Sequence, residues 1–208
     1  METYWEELFT IATIVLLGAM SPGPDWAIVT KYSLNVSRTA GLMATLGIAV
    51  GILLHMTYCL LGVGILISQS PFLFNIIKVV GGLYLCYIGY KGLRAKAVDL
   101  KKLSASQTVT PSHWEAFKVG VVTNALNPKA TLFFLSLFSL VIDPGTPLWV
   151  LLIYVAVIFI ITILWFGTLS FLLSAEACRS RIVNVSHWVE RGLGIILICL
   201  GVYLAILD

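Results

Sequence analysis

The chain has 208 residues, of which 59% are hydrophobic and 11% charged, with a formal net charge of +3 and a mean hydropathy of +0.98. Soluble domains carry about 25% charged residues, so this composition excludes a water-covered globule and defines an integral membrane protein. Cys59, Cys86, Cys178 and Cys199 have no close-paired spacing, which reads as thiols packed as small hydrophobes and gives no support for a metal or disulfide site.

Taken in order, the chain supplies six apolar stretches near the about 20 residues that a membrane-spanning helix needs. They cover roughly 8–30, 40–67, 71–91, 115–140, 147–173 and 189–207. The N-terminal flank carries Glu2, Glu6 and Glu7 without Lys or Arg, so the first stretch lacks the basic region of a signal peptide and is expected to stay. That stretch is interrupted by Ser21-Pro22-Gly23-Pro24-Asp25. Each proline lacks an N–H and crowds the preceding turn, and Gly23 adds backbone freedom, so a broken helix is expected. Such breaks persist at membrane depth only where the freed backbone lines a cavity or meets other protein.

Ser68-Gln69-Ser70-Pro71 and Asp143-Pro144-Gly145-Thr146-Pro147 separate further helices, and the most polar stretch, about 95–114, divides the chain into halves. Apart from Lys78 and Lys129, every Lys and Arg flanks the first, third or fifth connection, on one side of a six-span layout. The opposite side holds Glu2, Glu6, Glu7, Asp143 and Asp208. The positive-inside rule then places the central loop in the cytoplasm and both termini outside. A re-entrant first segment would give five spans instead.

Three helices per half is an odd number, so a duplicated half enters the membrane inverted. Helix 1 breaks at Pro24-Asp25 and helix 4 at Asn127-Pro128-Lys129, while Gly82/Gly89 in helix 3 and Gly194/Gly201 in helix 6 share a spacing of seven. The reading is an all-α polytopic membrane protein. It forms a single transmembrane domain over 1–208, with half-repeats of about 8–94 and 115–207 as two inverted three-helix repeats.

Asp25, His55, Lys78 and Lys129 are the ionisable residues well inside these spans. An Asp or Lys at a helix centre costs about 2.5–3.5 kcal/mol. Asp25 and Lys129 must therefore pair with each other or face water and a charged substrate. An amino-acid zwitterion suits the second arrangement. Its carboxylate would meet Lys129 and half-helix N–H groups, its ammonium Asp25 and free carbonyls, with Asn124 and Asn127 adding donors and acceptors. Structural kinks around a buried ion pair are the plainer alternative. His55 reads first as a packed, hydrogen-bonded histidine and second as a proton relay, and Lys78 can snorkel outward. Gly47 and Gly51 form a GxxxG suited to packing within the chain. The sequons at Asn35 and Asn184 face the cytoplasm in this layout. No HExxH or GxSxG motif is present, and the basic residues sit at membrane edges, so neither enzyme chemistry nor nucleic-acid binding is supported.

Ser21-Pro22-Gly23-Pro24-Asp25, the Gly82–Tyr90 segment GLYLCYIGY, and Asn124-Ala125-Leu126-Asn127-Pro128-Lys129-Ala130 resemble, in that order, the signatures of the LysE/RhtB amino-acid exporters. The resemblance covers essentially the whole chain and looks nearest to the threonine-efflux branch. It implies a bacterial inner-membrane carrier of amino acids such as threonine or homoserine, driven by protons and needing no cofactor. It also implies a substrate site built from Ser21, Pro22, Gly23, Pro24, Asp25, Asn124, Asn127, Pro128 and Lys129. Many relatives carry Asn at the position of Asp25, which makes this carboxylate a substrate or structural partner before a proton carrier. A homo-oligomer stays open. A small membrane adaptor is the alternative from another class. Shortening the loop between Ala95 and Pro111 separates the two, because transport by a carrier is expected to survive the change and partner capture by an adaptor to be lost.

Overall fold

The computed structural model describes residues 2–69, 71–95, 112–143, 145–174 and 176–206, and these form helices joined by turns. In chain order the helices are α1 (Glu2–Met20), α2 (Pro24–Asn35), α3 (Arg38–Gln69), α4 (Pro71–Leu93), α5 (His113–Ala125), α6 (Pro128–Val141), α7 (Leu148–Ser174) and α8 (Glu176–Ile206). Both expected breaks are present. α1 and α2 meet at an angle of 57°, with Pro24 in the first turn of α2. Pro128 likewise opens α6, where Asn127 caps the helix by accepting from the Lys129 N–H at 3.0 Å. Proline fits a first turn because the N–H it lacks has no intrahelical partner there. Boundaries differ from the hydropathy stretches where caps extend them: Ser112 accepts from the Glu115 N–H and starts α5 early, and Ser37 accepts from the Ala40 N–H before α3.

Among the described residues three helices are long and apolar enough to cross a membrane unaided: α3 over Arg38–Leu61, α7, and α8 over Val185–Tyr203. The bent α1–α2 pair adds a fourth crossing when counted as one span. Large apolar side chains such as Leu53, Leu61, Ile160, Leu164 and Phe171 face outward, as expected where lipid is the solvent. Inside, Ile11, Val29, Ile48, Met56, Phe138, Tyr154, Ile158 and Leu173 form the core.

Small residues set the closest approaches, as in membrane helix pairs generally. Gly47 of α3 lies against the Phe117 carbonyl of α5, where an added Cβ would sit 2.1 Å from that oxygen, and one at Gly120 would sit 2.3 Å from Ala44 O. The GxxxG of Gly47 and Gly51 therefore packs within the chain. α4 and α8 form a second seam, in which Gly89 meets Gly194 and Gly82 meets Gly201. These are the two pairs spaced by seven, brought together antiparallel.

The two ends of the bundle differ. Arg38, Lys91, Arg94 and Arg191 each stand over an aromatic ring (Phe171, Tyr87, Tyr90 and Trp188) at 4.5–5.0 Å. Ser170 Oγ donates to Arg38 O and Arg191 donates to Ala95 O, tying these ends together. Basic groups with aromatic partners are typical of a membrane–water boundary. At the other end Glu7, one of the acids placed opposite the basic loops, is 7% exposed. It accepts from Tyr154 Oη at 2.8 Å, from Thr146 Oγ1 and from the Asp143 N–H. Hydrogen bonding is what makes a buried carboxylate tolerable, and these donors come from a turn and a helix that are distant in sequence. The central loop over 96–111 lies outside the described residues.

The α4–α8 seam gives a paired test. A Cβ at Gly194 would lie 2.5 Å from Gly89 O, whereas one at Gly192 meets nothing within 4 Å. Gly194→Ala is expected to destabilise the purified protein by about 1–3 kcal/mol through overpacking. Gly192→Ala should leave the unfolding midpoint unchanged or slightly higher, as read by thermal denaturation in detergent.

Candidate functional site

The two breaks face each other and enclose a cavity of about 70 Å³, several times the about 10–15 Å³ that one water requires. Ser21, Gly23, Pro24 and Asp25 border it from the first break, and Asn124, Asn127 and Lys129 from the second. Pro22 and Pro128 stand behind the lining: Pro22 O accepts from Lys129 Nζ at 3.3 Å, and Pro128 O accepts from Tyr84 of α4 at 3.4 Å. All nine residues singled out from the sequence thus gather at one place.

The charges are held by neutral groups. Asp25 Oδ2 accepts from Asn124 Nδ2 at 3.0 Å and from Asn127 Nδ2 at 3.3 Å. A carboxylate offers only acceptors, so both amides turn their NH₂ groups to it. Lys129 Nζ donates to Ser21 Oγ at 2.8 Å and to Pro22 O. Asp25 and Lys129 make no ion pair among the described residues. Asp25 Oδ1 and Asn124 Oδ1 are buried and meet no donor there either. One end of the cavity therefore carries two acceptor oxygens of unused capacity, and the other an ammonium group held by a hydroxyl and a carbonyl.

The remaining wall is apolar and largely aromatic. Phe133, Phe134 and Phe166 border the cavity with Trp26, Val15 and Ile52, and Thr162 brings a hydroxyl that donates to Ile158 O. Hydropathy alone could not separate these from lipid-facing neighbours. Their signal is helical spacing from the breaks, since Phe133 lies four residues after Lys129. Phe133 also closes against α1, where a Cβ at Gly18 would come within 2.7 Å of its ring.

One sequence expectation, for Gly23, changes, while His55 keeps its first reading as a packed, hydrogen-bonded histidine. Gly23 adopts φ −172° and ψ −167°, extended backbone that any residue can take, so conformational freedom does not explain it. A Cβ there would meet Lys129 Nζ at 3.5 Å, an ordinary contact, so the glycine leaves open space beside the ammonium. His55 is fully buried; its Nε2 lies 2.9 Å from Asn124 O and its Nδ1 contacts the Tyr58 hydroxyl. It belongs to the packing around the second break.

Broken helices that turn polar residues into a cavity inside an apolar bundle define a membrane translocator architecture. The model of the family "LysE type translocator" matches residues 16–208, and the chain belongs to that family. It is 31% identical to the threonine efflux protein of Escherichia coli K12 over 201 residues, covering 95% of this chain and 96% of the relative. Identity to the threonine efflux protein of Salmonella typhi is 32% over 204 residues, covering 95% and 97%. A leucine efflux protein of Salmonella choleraesuis is 36% identical over 144 residues, 69% of this chain and 65% of the relative. No solved structure matches the chain.

The geometry separates two glycines at the cavity. Gly23→Ala adds a methyl at van der Waals distance from Lys129 and is expected to leave stability within about 0.5 kcal/mol, as for substitutions without a clash. Gly18→Ala must displace the Phe133 ring and is expected to cost about 1–3 kcal/mol. Thermal unfolding of the two purified variants side by side checks the difference.

Proposed function

We propose that the chain is a secondary carrier that exports small amino acids of the threonine and homoserine type from the bacterial cytoplasm across the inner membrane. One observation carries the reading: at the two helix breaks, an ammonium and an unpaired carboxylate oxygen border the same cavity without joining. A zwitterion supplies the missing partners. Its ammonium would take Asp25 Oδ1 and Asn124 Oδ1, and its carboxylate Lys129 with Ser21, all charge-assisted bonds. The apolar wall leaves room for a small side chain. The threonine and leucine efflux proteins among the relatives support amino-acid export as the activity.

In this reading the six hydropathy stretches span the membrane as two inverted halves, with the basic, aromatic-flanked end in the cytoplasm and both termini outside. Export proceeds by alternating access, one half rocking against the other around the cavity. The proton gradient drives it. Asp25 binds substrate first and carries protons second, since its Oδ2 is already engaged by two amides. The adaptor alternative draws no support from the cavity.

Inside-out membrane vesicles made acidic inside test the proposal with labelled threonine and homoserine against lysine and leucine. The expected result is uptake of threonine or homoserine that collapses with an uncoupler; uptake that ignores the uncoupler would remove the proton coupling. Lys129→Ala, at normal membrane levels, is expected to lower uptake about 100-fold, the equivalent of losing charge-assisted bonding of about 3 kcal/mol. Wild-type uptake in that variant would remove Lys129 from the site, and vesicles of folded protein that take up no amino acid would sink the proposal.

A further inference from the structure

The Asn124 carbonyl is the acceptor that the N–H of residue 128 would meet in a continuous helix, because each N–H bonds the carbonyl four residues before it. Residue 128 is proline and has no N–H. Asn124 O takes the Asn127 N–H at 2.9 Å in a tighter turn, and its other face receives His55 Nε2 at 2.9 Å. A carbonyl only accepts, so Nε2 carries the hydrogen. In the neutral ring Nδ1 is then the acceptor for the Tyr58 hydroxyl.

His55 comes from α3, in the other half of the chain, and α3 also shapes the space around the Asn124 side chain. Gly51 lies one turn before His55, where an added Cβ would come within 2.9 Å of both Asn124 Cβ and Oδ1. The His55 ring stacks on Phe134 of the cavity wall at 5.9 Å. The residue whose carbonyl His55 holds is the residue whose amide holds Asp25.

We infer that His55 is a positioning residue of the cavity. Beside the Asn127 N–H, its Nε2–H gives the Asn124 carbonyl a second donor where Pro128 supplies none, and so fixes the second break with the Asn124 amide aimed at Asp25. The inference rests on the carrier reading for its consequence in transport but not for its structural content. Tyr58 selects the tautomer by donating to Nδ1. A ring that merely filled space would be replaceable by any side chain of similar size, whereas this role requires an N–H.

Two readouts on the full-length protein in lipid nanodiscs or vesicles decide it. The first is backbone hydrogen exchange in the segment 122–131, which needs no transport. His55→Leu keeps bulk without the donor and is expected to speed exchange about tenfold, the loss of one buried bond to a carbonyl. His55→Gln, which restores an N–H, should return it to within about threefold. The second readout is threonine uptake. The half-saturation concentration is expected to rise about tenfold in His55→Leu with a smaller change in maximal rate, and to recover in His55→Gln. Pro128→Ala returns a backbone N–H to the helix, so adding His55→Leu to it should cost less than in the parent.

Equal behaviour of the Leu and Gln variants in exchange overturns the inference, as does an undiminished cost in the Pro128→Ala background. If His55→Leu does not reach the membrane, His55→Gln and Tyr58→Phe decide. Faster exchange in Tyr58→Phe with near-parental exchange in His55→Gln supports the role, and the reverse order overturns it. Absence of amino-acid uptake by the parent protein counts against the carrier reading alone, because the exchange result stands without it.

Discussion

The whole arrangement follows from prolines placed where water is scarce. A proline withdraws one N–H from the helix ladder, and in an apolar medium the carbonyl it leaves behind must find another donor. At the second break that carbonyl, Asn124 O, receives the Asn127 N–H and the His55 imidazole; at the first, Pro22 O, which lies between the two helices, receives the Lys129 ammonium. Both side-chain donors come from the opposite half of the chain. The breaks are thus interlocked by hydrogen bonds between the two halves. The same exchange brings Asp25 and Lys129 to one cavity.

Holding two charges near each other without letting them join has an electrostatic logic. A direct pair would satisfy both groups and leave little for a ligand, since breaking it would cost what the ligand's contacts return. Neutral partners act differently. The amides of Asn124 and Asn127 engage one oxygen of Asp25, and the hydroxyl of Ser21 engages Lys129. Each charge is stabilised and oriented while still presenting unused capacity. The zwitterion proposed above would find fixed, complementary ends there and displace no ion pair.

How far this was legible in the sequence depends on the range of each signal. Pro22, Pro24 and Pro128 act on their own turns, so the breaks could be placed to within a residue or two. Asp25 and Lys129 stand out because charges are rare in such segments, and Asn124 and Asn127 because a spacing of three puts them near one face. The glycine pairs spaced by seven were visible, although their partnership across the bundle was not. Glu7 was placed only on the side opposite the basic loops, and its burial was not legible because its donors, Tyr154 and Thr146, lie far along the chain. His55 was visible as a buried histidine, but its meaning depends on which carbonyl it meets, and that is a property of how α3 crosses α5. Gly23 misled because glycine has two uses, backbone freedom and missing volume, which a sequence does not distinguish.

The α4–α8 seam has a mechanical consequence. Where helices mesh through side chains, those can change rotamer and settle into a second arrangement. Gly82 with Gly201 and Gly89 with Gly194 bring main chain against main chain, a surface with no rotamers to exchange. Sliding one helix along the other by a turn would drive a Cβ from a neighbouring residue into a carbonyl. The pair is therefore confined to a single register. The same constraint acts between α3 and α5, where Gly47 and Gly120 meet the carbonyls of Phe117 and Ala44, so each half of the chain contributes helices to a pair whose register cannot slip.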